Sequence, residues 1–564
     1  MANKLNRSVL AAASIVAASV LSGAAPAPKP SPAASKPTEF FGESLDVTVV
    51  NVDVYVTDKS GNRVKGLTQA DFELFEDKKP VAVTNFYAVE AGRPVRQLDP
   101  DGLAPTEAPT SARSVEEIPD EQRLSLIVYI DNFNLRPFNR NRVLRELRQF
   151  LNEKVRPGDR VMLVTYDREL HVRRPFTTDP SVIASALFEL EKISAQGTHA
   201  DSDRRDILQS IDEAEDVSEV YGRARSYAES LFNDLEFTIS ALKGFVDQLA
   251  GLPGRKAILY VSDGLPMRAA EDIFYALSIK FPQKTSLLEA QSYDASRRFS
   301  ELANQANANR LSFYTLEATG LRVSAAADAS QSNPGLGVQV EQIHFSNLQS
   351  TLQMLAEKTG GAAILNANQI LPRLEKIAED FQTYYSLGYS PSHSGDGRYH
   401  RIEVKAKRKG LTVRHREGYR DKPVDSRMSD GILANLRFGG DTNGMGVGLE
   451  VGEMIPRSDG LYSVQLTVRV PIGKILLIPR ETMHEGRVRV YVAAMDREGG
   501  TSEVGNSPVA IQIPAVEVEE AAKKYYAYSL TLVMRKGEQR VAIGVRDDLA
   551  GTTAFVSKSL MVGR

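Results

Sequence analysis

The chain has 564 residues, 42% hydrophobic content and a formal charge of −3, enough for several domains with full cores. Its near-neutral balance gives no overall attraction to nucleic acid. With no cysteine, disulfides, thiolate metal sites and cysteine nucleophiles are excluded.

Lys4 and Arg7 precede the apolar run Ser8–Leu21 and the small residues Ser22, Gly23, Ala24 and Ala25. Basic, apolar, then small is the order of a secretory signal peptide, read here as residues 1–25. The apolar run is too short to span a bilayer, so the expected destination is the periplasm or the exterior. No later stretch is long and apolar enough to predict a membrane span. Residues 26–38, rich in Pro, Ala and Ser, read as a stiff unfolded spacer.

Residues 39–97 turn to strand signals. Val50, Val52, Val54 and Val56 alternate with Asn51, Asp53 and Tyr55, the period of a half-buried strand. Asp58-Lys59-Ser60-Gly61-Asn62 lacks the acid spacing of a calcium loop and reads as a hairpin turn. Residues 98–121, with prolines, glycines and acids, read as a linker.

The region 122–382 alternates strands and helices, the pattern of a doubly wound parallel sheet. Its organising stretch is Leu124–Leu135, an apolar run that ends on Asp131 and continues Asn132-Phe133-Asn134-Leu135. Such a run reads as a strand buried on both faces, with Asp131 at the carboxyl end where open α/β sheets bind ligands. Further strands are predicted at Arg160–Tyr166, Lys256–Ser262, Leu311–Leu316 and Ala362–Leu365. A long helical region over Asp201–Leu249 is expected to cover one sheet face, and a last helix is predicted over Gln369–Phe381. Strand signals return in 383–422. Ten Lys or Arg stand against three acids in Arg398–Lys422; without interleaved aromatics this reads as a solvated strand edge. A linker is predicted at 423–445 and a C-terminal β-sandwich at 446–564. The segments 39–97 and 383–422 are each too small to bury a core alone, so the expectation is one discontinuous β-sandwich with the α/β domain inserted in it.

On the strand ending at Asp131, and on Tyr260-Val261-Ser262-Asp263-Gly264, the chain resembles the von Willebrand factor A domain. More narrowly it resembles the exported bacterial proteins called von Willebrand factor A-related. In that family a motif Asp-x-Ser-x-Ser, a later Thr and an Asp after the fourth strand hold a divalent cation. The resemblance maps Asp131 onto the first Asp, Thr198 onto the Thr and Asp263 onto the last Asp, while the two serine positions are Phe133 and Leu135. It implies Mg²⁺, with Mn²⁺ or Ca²⁺ as alternatives. Asn132, Asn134 and Asp201 are auxiliary donors in reach by sequence, with His199 and Asp203 nearby. With two of five ligands replaced, the favoured reading is a hydrogen-bonded remnant of a metal site.

No Gly-x-Ser-x-Gly elbow, His-Glu-x-x-His or P-loop occurs. The functional expectation is an exported, non-enzymatic protein-binding or adhesion-type protein whose partner meets the carboxyl ends of the α/β strands. The alternative is a structural or assembly component of the cell envelope with an inert α/β core.

Overall fold

The computed structural model describes residues 49–90, 93–95, 123–156, 158–283, 287–321, 334–440 and 442–563. The predicted signal peptide 1–25, the spacer 26–38 and the linker 98–121 lie outside the described residues. The chain divides into two compact units, Thr48–Leu249 with Pro253–Lys422, and Ala250–Leu252 with Pro423–Arg564.

In the first unit, apolar runs form a six-stranded sheet. Its order is Ala363–Ile364, Leu311–Glu317, Arg255–Ser262, Leu124–Asp131, Arg160–Tyr166 and Leu170–Thr177. The first five are parallel. The last is an antiparallel edge that the sequence pattern does not show, because its residues are only half-buried or exposed. All eight residues of Leu124–Asp131 are buried.

Alternation along that strand divides its side chains between two faces. Leu126, Val128 and Ile130 pack with Leu144, Leu147, Leu187, Leu374 and Phe381 from the helices Pro137–Lys154, Pro180–Leu190 and Leu371–Gln382. On the other face Tyr129 meets Phe245 of the helix Tyr221–Gln248, ring centroids 5.9 Å apart.

The helical region that follows Pro180–Leu190 does more than cover the sheet. Thr198–Glu213, the first half of Tyr221–Gln248 and Glu271–Lys280 build their own apolar cluster, in which Ile207, Ile211, Ala224, Ile273, Phe274 and Leu277 are buried.

The same unit carries two further sheets made from both flanks of the α/β region. Val50–Thr57 lies between Tyr384–Tyr389 and Thr412–His415, with Val52 opposite Leu387 and Val56 opposite Val413. Tyr399–Ala406 pairs with Phe72–Glu76, placing Val404 opposite Leu74. The two sheets share one core containing Val50, Val52, Val54, Phe72, Leu387, Ile402 and Val404. The turn at Asp58 is closed by its own carboxylate, which accepts from the Ser60 and Asn62 amides.

The second unit is a sandwich. Gly448–Pro456, Tyr462–Pro471 and Tyr525–Met534 form one sheet; Met483–Asp496, Gly537–Asp547 and Thr553–Val562 lead the other. The strand period of two is visible in the burial of Val464, Leu466, Val468 and Val470, which share a core with Val488, Val490, Val541 and Ile543. The expected linker 423–445 requires correction, because Val424–Phe438 is a helix. Met428, Ile432 and Leu436 recur at helical spacing and bury against Tyr491, Ala493 and Ala542. Gly431 in that apolar face, and the glycines from Gly439 onward, obscure the period in the sequence.

Candidate functional site

Parallel strands Leu124–Asp131 and Arg255–Ser262 are neighbours from which the chain proceeds in opposite directions across the sheet. Sheets of this kind bind ligands beyond such carboxyl ends, and Asp131 and Asp263 stand there, both buried.

Asp131 is fully buried. Its Oδ2 accepts from the Tyr260 hydroxyl at 2.5 Å, the Ser262 hydroxyl at 3.1 Å and Asn134 Nδ2 at 2.9 Å. Burial pushes the carboxyl above its usual range, against the lowering effect of these donors. Burial likewise pushes the Tyr260 phenol well up, so it stays a donor. Asp263 accepts from the Arg136 amide at 3.0 Å and from Asn139 Nδ2 at 3.0 Å.

The structure brings Asp201 to Asp263 through Arg136. The guanidinium Nε lies 2.5 Å from Asp201 Oδ2 and 3.7 Å from Asp263 Oδ2, and Nη2 donates to Asp201 Oδ1 at 3.2 Å. Arg136 side-chain exposure is 37%, so the cation reaches the protein surface at the carboxyl end of the sheet. Thr198 is exposed at the start of its helix. Its loop is fixed by main chain: the Gln196 amide donates to Asn132 O and the Gly197 amide to Leu135 O, each at 3.0 Å. A Cβ on Gly197 would stand 2.7 Å from Leu135 C, so this contact requires glycine.

Asn132 is turned away from the crevice. Its Nδ2 donates to Ser194 O at 2.8 Å and its Oδ1 accepts from Arg140 Nη1 at 2.6 Å. Arg140 is buried, and Nη2 donates to Ile193 O at 2.7 Å. Asp203 is exposed on the helix, and the side chain of His199 lies outside the described residues.

These residues do not fit the divalent cation that the resemblance implies. Leu135 is wholly buried in the apolar core. Phe133 lies edge-on to Tyr166 at 6.3 Å, with the Arg168 guanidinium 5.0 Å from its ring centroid. The Asp131 oxygens already receive three side-chain donors, and a guanidinium supplies positive charge between Asp201 and Asp263. Among the sequence candidates, Asp131 and Asn134 form one hydrogen-bonded group and Asp201 and Asp263 another, with Asn132 serving Arg140. The residues that sequence reading missed are Arg136, Asn139, Arg140 and Tyr260. Only the charge of Arg136, five positions after Asp131, offered a signal.

No protein-family model matches the chain, and no curated protein matches it. Matches among solved structures include an aerotolerance-related membrane protein from Bacteroides fragilis NCTC 9343, at 10% identity over 46% of this chain and 98% of that one, TM-score 0.24. BatB from Bacteroides thetaiotaomicron matches at 12% identity over 46% of this chain and 96% of that one, TM-score 0.23. The three N-terminal domains of the type V pili tip protein Mfa5 from Porphyromonas gingivalis match at 10% identity over 92% and 77%, TM-score 0.22.

Proposed function

We propose that this chain is an exported protein-recognition protein, in which a von Willebrand A-like α/β domain offers the carboxyl-end crevice of its sheet to a protein partner. The region 39–97 with 383–422 is its insertion scaffold. The recognition is independent of a bound metal, because Arg136 provides the positive charge at the crevice. The observation that carries the reading is the pairing of Arg136 with Asp201 and Asp263 beside Phe138, whose side chain is 80% exposed in the first turn of Pro137–Lys154. An exposed aromatic next to a half-exposed arginine is the composition of interface anchors.

A second reading, a structural component of the envelope with an inert α/β core, draws support from Leu135 in the core and from the fully engaged Asp131. A photo-crosslinking residue at position 138, in the producing cell, separates the two. Recognition predicts a discrete adduct that disappears when Arg136→Ala is added. An inert core predicts no more adduct at 138 than at position 516, where Val516 is also strongly exposed, at 93%.

A further inference from the structure

Away from the crevice, the scaffold sheets gather a second group of ionisable side chains. The strand Phe72–Glu76 ends on Glu76, and the hairpin that follows it turns through Asp77 and Lys78, both at positive φ (47° and 67°). Tyr399–Ala406 runs alongside with His400 near its start. His393 and Asp396 come from the loop before that strand, and Asp421 follows Gly418–Arg420.

Glu76 is 7% exposed and its Oε1 accepts from the Tyr389 and Tyr419 hydroxyls at 2.6 and 2.7 Å. The two imidazoles are stacked, centroids 3.8 Å apart with 15° between the planes. Each ring gives one nitrogen to a carboxylate: His393 Nδ1 is 2.8 Å from Asp421 Oδ2, and His400 Nδ1 is 2.8 Å from Asp77 Oδ2.

A carboxylate accepts, so each Nδ1 carries a proton. His400 Nε2 faces the Asp396 carboxylate and carries one as well, whereas His393 Nε2 in a neutral ring presents a lone pair. This is the arrangement by which outer carboxylates orient metal-ligating histidines. His393 Nε2 is buried and makes no hydrogen bond. It lies 3.4 Å from Glu76 Oε1, so nitrogen and carboxylate oxygen face each other in a dry place without a hydrogen bond, which costs free energy unless a proton or a metal cation stands between them. Two ligands each about 2.05 Å from a tetrahedral zinc stand about 3.3–3.4 Å apart. One ligand atom each from Glu76, His393 and His400 lies within 4.8 Å of the others.

We propose that Glu76, His393 and His400 bind a divalent cation of the zinc class, the cation taking the place of the proton that His400 Nε2 shares with Asp396, which is released to solvent. Asp396 meets His400 Nε2 at 3.2 Å through both oxygens and is partly exposed, so it can be displaced or can complete the shell. Asp421 and Asp77 are positioning residues. The two-nitrogen, one-carboxylate donor set suits zinc rather than Mg²⁺ or Ca²⁺.

The test uses the full chain stripped with chelator, then supplied with ZnCl₂ or CoCl₂. The expected results are one zinc retained after dialysis, visible Co²⁺ absorption of tetrahedral intensity and a raised melting midpoint, with no such response to Mg²⁺. His393→Ala removes all three, and Asp421→Asn weakens zinc about 10- to 100-fold, while His171→Ala leaves them unchanged. Because Glu76→Gln also disturbs two tyrosines, His393→Ala, in a loop, is the deciding variant. Absence of zinc binding by the native chain, or binding unaltered by His393→Ala, overturns the site.

Discussion

Asp131 closes its strand as a fully buried carboxylate that accepts from three side-chain donors. The strand-end carboxylate is legible from the apolar run before it, because a short run rich in Ile, Val and Tyr reads as a buried strand. What it meets is not legible: Tyr260 and Ser262 reach it from a strand more than a hundred residues on, and Arg136 bends back toward Asp201 and Asp263. The donor arrangement makes a prediction. Asp131→Ala strands the Tyr260, Ser262 and Asn134 donors in a dry site, and a buried donor without a partner costs about 1–3 kcal/mol. The expected loss is about 2–4 kcal/mol in urea unfolding. Asp131→Asn, which keeps an acceptor and removes a charge that burial disfavours, is expected to lose less than about 1 kcal/mol. A larger loss for Asn than for Ala would contradict this account of the carboxylate.

At the scale of elements, the helix Leu371–Gln382 is tied to the scaffold at its end. Asp380 is fully buried and pairs with Arg63 and with Arg414, the latter at 2.5 Å, while its main-chain oxygen accepts from Arg255 Nη2 at 3.1 Å. Arg255 also contacts Asp53 at 3.0 Å and sits 3.8 Å from the Tyr384 ring centroid. Part of the basic run in Arg398–Lys422 thus serves this junction. Arg401 and Lys405 are exposed, but they lie on Tyr399–Ala406, which is paired on both sides, so they form a solvated face and not the strand edge expected from composition.

Removing one member of a buried pair leaves the other uncompensated, at about 3–5 kcal/mol. Asp380→Ala is expected to destabilise the first unit by that amount in denaturant unfolding. If this helix moves when the crevice is occupied, the strand Tyr384–Tyr389 must respond, since one residue separates them. Hydrogen exchange is then expected to change at both elements on partner binding; change at one alone would refute the coupling.

Charge also fixes the helical cluster. Burial raises the Asp272 carboxyl, but His344 and Arg204, the latter 2.5 Å away, outweigh it and hold the group down at about 2. Since the folded value is below the unfolded value, its stabilising contribution is complete above pH about 4 and is lost as pH falls toward 2. Exchange protection in Thr198–Glu213 should drop over that window, and Asp272→Asn should flatten the change. Elements with a strong buried period were legible in the sequence. The edge strand Leu170–Thr177 and the helix Val424–Phe438 were not, the first because none of its residues is fully buried and the second because glycine interrupts its apolar face.

Across the whole molecule, the α/β region is bracketed by segments that share sheets and a core. Val50–Thr57 has strands from beyond residue 383 on both sides, so a fragment of residues 49–95 is expected to remain unfolded by circular dichroism when expressed alone. That pairing follows from counting: neither short flank has apolar area enough for a core, a deficit visible in the sequence. The division of charge in the crevice was not visible, because it depends on which side chains the loops turn inward. The central claim is that Arg136 with Asp201 and Asp263 supplies the crevice with its own cation. Thermal melting of the chelator-treated chain during titration with Mg²⁺ tests it most directly, since a ligand confined to the folded state raises the midpoint. The account predicts an unchanged midpoint in the native chain; a rise that saturates with Mg²⁺ and disappears in Asp131→Asn would contradict it.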